Sequence, residues 1–133
     1  MTASENPRWM TLTGRTLSLI VILFLLMDAG MKLPPLSVVG ETMTTLGWPA
    51  DANTARLLGV LTLVPTLLYI WPRTAVLGAI LMTAYLGGAV ATHVRLANPL
   101  FTHILFGVYL GLFLWGGLWF RSPALRALMP VKS

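Results

Sequence analysis

Residues 85–104, YLGGAVATHVRLANPLFTHI, decide how this chain is read. The stretch is apolar up to His93, breaks at Asn98-Pro99 and turns apolar again. It therefore predicts two helices joined by a short loop, because proline lacks the N–H that continues a helix and disfavours helical torsions in the residue before it. His93 and His103 each stand five residues from Asn98. On facing antiparallel helices they come to about the same depth, and with axes roughly 8–10 Å apart the two imidazoles can address one ligand.

Composition sets the class. The chain has 133 residues, enough for one domain spanning 1–133. Hydrophobic residues make up 56%, charged residues 10%, and mean hydropathy is +0.80. A soluble domain carries about 25% charged residues, so this chain has too few to wet a globular surface. The fold class expected is all-α, a four-helix bundle crossing the membrane, with the lipid bilayer as first partner. The net charge of +5 does not point to nucleic acid, since the basic residues are spread over helix ends. With no cysteine, disulfides, thiolate metal sites and cysteine-ligated clusters are excluded.

Working outward from the central stretch, apolar runs predict spans over about 15–33, 52–71, 74–94 and 100–120, each near the ~20 residues a bilayer requires. The first is read as a retained span rather than a cleaved signal, because Asp28 sits close to any cut and the remaining chain is itself hydrophobic. Pro34-Pro35 ends it. Leu36, Val39, Met43 and Leu46 then recur at helical spacing in a segment too short and polar to cross. It is expected to lie in the interface, as a lid or as a connector. Asp51 or Asn53 caps the second span, and Pro65 bends it. Ala84, Gly88 and Thr92 in the third span, and Gly107-x-x-x-Gly111 in the fourth, are small residues at the spacing that lets membrane helices pack closely. His103, one turn before Gly107, is expected to point into the bundle. The tail after Phe120 is read as an interfacial anchor.

With four spans, both termini and the 71–73 turn share one side. That side carries Arg8, Arg15, Arg73, Arg121, Arg126 and Lys132 against the single acid Glu5, so the positive-inside rule places both termini in the cytoplasm of a cell-membrane protein. Trp9, Tyr69, Trp71, Trp119 and Phe120 are expected as the inner aromatic belt, Trp48 and Phe101 as a thinner outer one. The outer side mixes charges: Asp28, Lys32, Glu41, Arg56 and Arg95 join His93 and His103. Ionisable residues near hydrocarbon pair or line a polar cavity. Asp28 and Lys32, four apart, share a face and can simply pair. Alternatively Asp28 accepts a ring N–H and fixes a histidine tautomer. Arg95 faces away and snorkels.

The candidate ligand-binding set is Asp28, Lys32, Arg56, His93, Arg95 and His103, with His93, His103 and Asp28 as the candidate catalytic groups. Such a set suits proton transfer near neutral pH, or donation to the carbonyls of a bound quinone, the one candidate cofactor. Two histidines as haem ligands, or as metal ligands with Asp28 or Glu41, form a third and narrower alternative.

MDAGMKL at 27–33, LGWP at 46–49, Gly59, the Pro72-Arg73-Thr74-Ala75-x-x-Gly78-Ala79 stretch, YLGGAVATHVR at 85–95 and PLFTHILFGVYLGLFLWGGLW at 99–119 together resemble the DoxX-like family of small four-helix membrane proteins. The resemblance runs from about Leu17 to Pro130 and is most distinctive in GGAxATHxR and the histidine after it. It implies a quinone-linked or other lipophilic small-molecule-binding accessory of a redox system, or else a subunit that assembles with another membrane protein or with itself. A small membrane enzyme of isomerase type, using His93 and His103, is the remaining alternative.

Overall fold

The computed structural model describes residues 6–34 and 37–132. Glu5 of the charge count, and Pro35 and Leu36 of the break after the first span, lie outside the described residues. The described residues form α1 (Arg8–Lys32), α2 (Ser37–Thr45), α3 (Ala52–Ile70), α4 (Ala75–Arg95), a π-helical turn (Leu100–Ile104), α5 (Phe106–Arg121) and α6 (Pro123–Leu128). Four segments, Arg8–Lys32, Ala52–Ile70, Ala75–Arg95 and Leu100–Arg121, are long and apolar enough to cross a membrane. This is an all-α, multi-pass membrane fold.

Each spanning helix adjoins two others. α1 packs on α3 and α5, and α4 packs on α3 and α5, so α1 and α4 stand at opposite corners. The packed stripe of α1 is Gly14, Ser18, Val21, Leu25 and Ala29, while Leu19, Ile20, Leu23 and Met27 face outward. Buried and lipid-facing positions are thus equally apolar, as expected where no hydrophobic drive separates helix from lipid tail. Shape and polarity do the sorting instead. Thr62 and Thr66, both fully buried on α3, return their hydroxyls to Leu58 O and Thr62 O, which satisfies them within their own helix.

A polar chain crosses the half of the bundle that holds the start of α1 and the end of α5. Tyr69 Oη donates its one proton to Leu114 O at 2.6 Å, so Ser18 Oγ, 2.7 Å away, donates to Tyr69 and in turn accepts from Arg121 Nη2 at 2.9 Å. Tyr69, expected in the aromatic belt, is therefore a core residue, 2% exposed. Gly117 leaves room for Ser18, and Gly14 for Arg121.

Two further expectations are corrected. α1 begins at Arg8, seven residues before the expected Arg15. Its polar first turns do not break it, because Thr13 and Thr16 bond back to Trp9 O and Leu12 O, and Asn6 Nδ2 ties the start to Phe120 O at 2.9 Å. In Gly107-x-x-x-Gly111, only Gly107 meets a neighbour, Val90 and Leu86 O on α4; a Cβ at Gly111 meets nothing within 4 Å. Gly88 is likewise open, and Ala84 is exposed. The close approaches are made by Gly14, Gly59, Gly78, Gly107 and Gly117. The tail forms α6, with Ser122 Oγ accepting from Leu125 N as its N-cap.

Candidate functional site

α1 and α4 deliver the first cluster. On α1, Asp28 and Lys32 are one turn apart, and Lys32 Nζ donates to Asp28 Oδ2 at 2.6 Å. The same ammonium donates to Tyr85 Oη at 2.8 Å and lies 5.3 Å from the Tyr85 ring centroid. A lysine at a helix end ordinarily stretches toward water. Lys32 turns inward to Tyr85, midway along α4, leaving its side chain 17% exposed and that of Asp28 32%. Tyr85 is the member that sequence reading missed. Its signal was a lone hydroxyl-bearing aromatic on the otherwise apolar face of α4, ahead of the Gly-Gly pair.

The turn at Asn98-Pro99 delivers the second cluster. His93, half-buried at the end of α4, meets His103 with ring centroids 5.5 Å apart and planes at 73°. The expected convergence of the two imidazoles is present. His93 Nδ1 lies 2.8 Å from Asn98 Nδ2. An amide nitrogen only donates, so Nδ1 accepts and the ring proton sits on Nε2. Thr102 Oγ1 holds His103 Nδ1 at 2.8 Å.

Asp28 does not orient a histidine; its carboxylate is engaged by Lys32, the nearer partner on its own helix face, and Asn98 takes the orienting part. His103 is exposed rather than turned into the bundle. The π-helical turn bonds Ile104 N to Pro99 O and Leu105 N to Leu100 O, and its wider winding breaks the phase that would have stacked His103 on Gly107.

The two arginines hold helix ends. Arg95 Nη2 donates to Leu46 O at 2.8 Å, so it pins the end of α2 onto α4 rather than snorkelling. The guanidinium lies over Gly47, whose φ of +79° is a left-handed conformation suited to glycine. Arg56 Nε reaches Leu33 O at 3.4 Å, at the end of α1. α2 itself lies on α3 through Val39 and Met43, which pack with Ala55. Beneath it a cavity of about 210 Å³ is walled by Ser37, Gly40, Met43 and residues 50–52 and 55. Glu41 is exposed, and no three His, Asp or Glu side chains among the described residues converge as a metal set.

Asp51, just ahead of α3, accepts the Thr54 hydroxyl, and this bond draws its pKa below the ordinary 3.8. A carboxyl depressed in the folded state adds stability above its unfolded pKa, and that increment is lost as pH falls through the lower, folded value. Thr54→Val should move the Asp51 titration, followed by carboxyl NMR in micelles, back up toward 3.8; an unmoved titration would show that the hydroxyl is not the cause.

A family model described as the DoxX-like family matches residues 16–117, taking in α2, α3 and α4 whole with most of α1 and α5. No curated protein matches the chain, and no solved structure does. Match and architecture agree: the chain belongs to the DoxX-like family of membrane proteins.

Proposed function

We propose that this protein is an accessory of a membrane redox system, holding a quinone or a similar lipophilic carbonyl compound at its outer mouth, with both termini in the cytoplasm. The basic residues gathered at the terminal end support that orientation. The observation that carries the reading is the T-shaped meeting of the His93 and His103 rings, centroids 5.5 Å apart, each ring held through Nδ1 by a neighbour in the turn.

The donor set fits such a ligand. A quinone offers only acceptor oxygens, and the turn offers the Nε2–H of His93 as a donor; the Lys32 ammonium and the Tyr85 hydroxyl are further donors, at a separate cluster eight residues earlier on α4. A bound quinone supplies two-electron redox chemistry that the side chains lack. The chain's part is to fix the ligand's oxygens and to hold protons for them, which imidazoles do near neutral pH.

Protein extracted into organic solvent should yield a quinone, and His93→Ala with His103→Ala should lower that yield at least tenfold. Helix content should stay unchanged, since neither ring is in the core. An extract without quinone, or an equal yield from the double variant, overturns the proposal.

One observation favours a second reading, an interaction subunit. Gly87 and Gly88 on α4 face outward, and a Cβ at either meets nothing within 4 Å. An exposed small-residue face of this kind suits close approach of a helix from another protein or a second copy. Under that reading, bulky residues at Gly87 and Gly88 remove a crosslinked partner while the extract is unaffected.

A further inference from the structure

At the inner end, α6 and the chain after it fold back along α5, held by Trp119 Nε1 donating to Met129 O at 3.0 Å. Between them runs an apolar groove of about 220 Å³, walled by Leu112, Trp115 and Trp119 on α5 and by Leu125, Met129 and Pro130 opposite. Pockets that enclose a compact ligand measure about 300–1,000 Å³, so this groove suits one flexible chain lying along the helix. Its open side is at Leu112, 64% exposed to the bilayer.

The rim is cationic. Arg126 lies 5.6 Å over the Trp119 ring and donates to Trp119 O, Phe120 O and Asn6 Oδ1, all neutral acceptors. Lys132 follows two residues after Pro130. Among the described residues no acid stands at this end; Asp28, Glu41 and Asp51 all belong to the other.

We propose that this groove is a binding site for an anionic phospholipid, one acyl chain lying between α5 and α6 and the headgroup meeting Arg126 and Lys132. An acyl chain gains no hydrophobic energy by leaving the bilayer for a protein groove. Selection therefore comes from the headgroup, and each basic residue at the membrane surface favours an anionic lipid roughly fivefold. The site is independent of the outer mouth and of any quinone there.

The test is the full chain in nanodiscs of equal phosphatidylglycerol and phosphatidylethanolamine, followed by native mass spectrometry of the lipid that stays bound. One phosphatidylglycerol per chain should be retained, its ratio to phosphatidylethanolamine at least fivefold that of the bilayer. Leu112→Trp, which puts an indole into the open side of the groove from an exposed position, should remove it with helix content unchanged. Lys132→Gln should lower the enrichment while a lipid is still held. Retained lipid that mirrors the bilayer mixture overturns the assignment. So does a Leu112→Trp variant that keeps its phosphatidylglycerol, or one that loses only a crosslinked dimer, which would make the groove a seam between copies.

Discussion

Asp28→Ala is expected to destabilise the bundle by about 2 kcal/mol, and Asp28→Leu combined with Lys32→Met to restore most of that loss. Removing one partner of a buried ion pair strands the other charge, at about 3–5 kcal/mol when the site is fully dry. Here Asp28 keeps 32% and Lys32 17% of side-chain exposure, so solvent at the mouth relieves part of the penalty. Replacing both partners by apolar residues of similar volume leaves no stranded charge, and such swaps are often neutral or better. Reversible unfolding in mixed micelles measures the cycle. Equal losses in the single and the double variant would show that the pair stabilises the helix end by itself rather than balancing two desolvated charges. The double variant also separates stability from binding: if it folds normally but its organic extract loses quinone, the Lys32–Tyr85 bond between α1 and the middle of α4 belongs to the ligand's site. If the extract is unchanged, the histidine turn carries the ligand without it.

How far the sequence could be read is clear from individual residues. The spans were legible because run length and hydropathy suffice to find them. α3 was expected over 52–71 and runs Ala52–Ile70; α4 was expected over 74–94 and runs Ala75–Arg95. The mirrored histidines were legible because a proline turn fixes the depth of its flanks. The rotation of each helix was not legible. Val21 and Leu25 are buried while Leu19, Ile20 and Leu23 face outward, and nothing in their hydropathy tells the two sets apart. In a bilayer the inward face is marked by small and hydroxylated residues instead, such as Gly14 and Ser18 on α1, Gly59, Thr62 and Thr66 on α3, and Gly78 on α4. The mark is ambiguous, because Gly88 and Gly111 carry it and face no neighbour. Tyr69 was misplaced for a related reason: an aromatic near a helix end reads as an interface anchor, and only coordinates show its hydroxyl reaching Leu114 O. Of the two readings of Asp28, the pairing with Lys32 at i+4 is the one present, because that local partner engages the carboxylate that the alternative gave to a histidine.

Gly78→Leu is expected to prevent assembly of the bundle, and Gly78→Ala to cost about 2 kcal/mol, within the range for overpacking a tight contact. A Cβ at Gly78 falls against the backbone nitrogen of Tyr69, 2.7 Å from Pro65 O and 2.8 Å from Tyr69 Cα. These are backbone atoms in the body of α3, with no rotamer to escape into, so the helices themselves must separate. Pro65 adds to the rigidity, since its ring fixes φ in the turn that supplies the clashing carbonyl. Separation does not stay local. Tyr69 carries the hydroxyl bonded to Leu114 O at 2.6 Å and to Ser18 Oγ at 2.7 Å, so moving its backbone draws on α5 and α1 together. Gly87→Leu supplies the control on the same helix, where a Cβ meets nothing within 4 Å, and should change stability by no more than about 0.5 kcal/mol. Thermal unfolding in detergent, read by the near-ultraviolet signal of the tryptophans, compares the two. If Gly78→Ala melts with the parent, α3 and α4 have slack where the geometry shows contact, and the polar chain of Tyr69, Ser18 and Arg121 cannot depend on their seam. If it melts low and Tyr69→Phe in the same background adds little further loss, the seam and the chain fail as one unit, and this end of the bundle is held at Gly78.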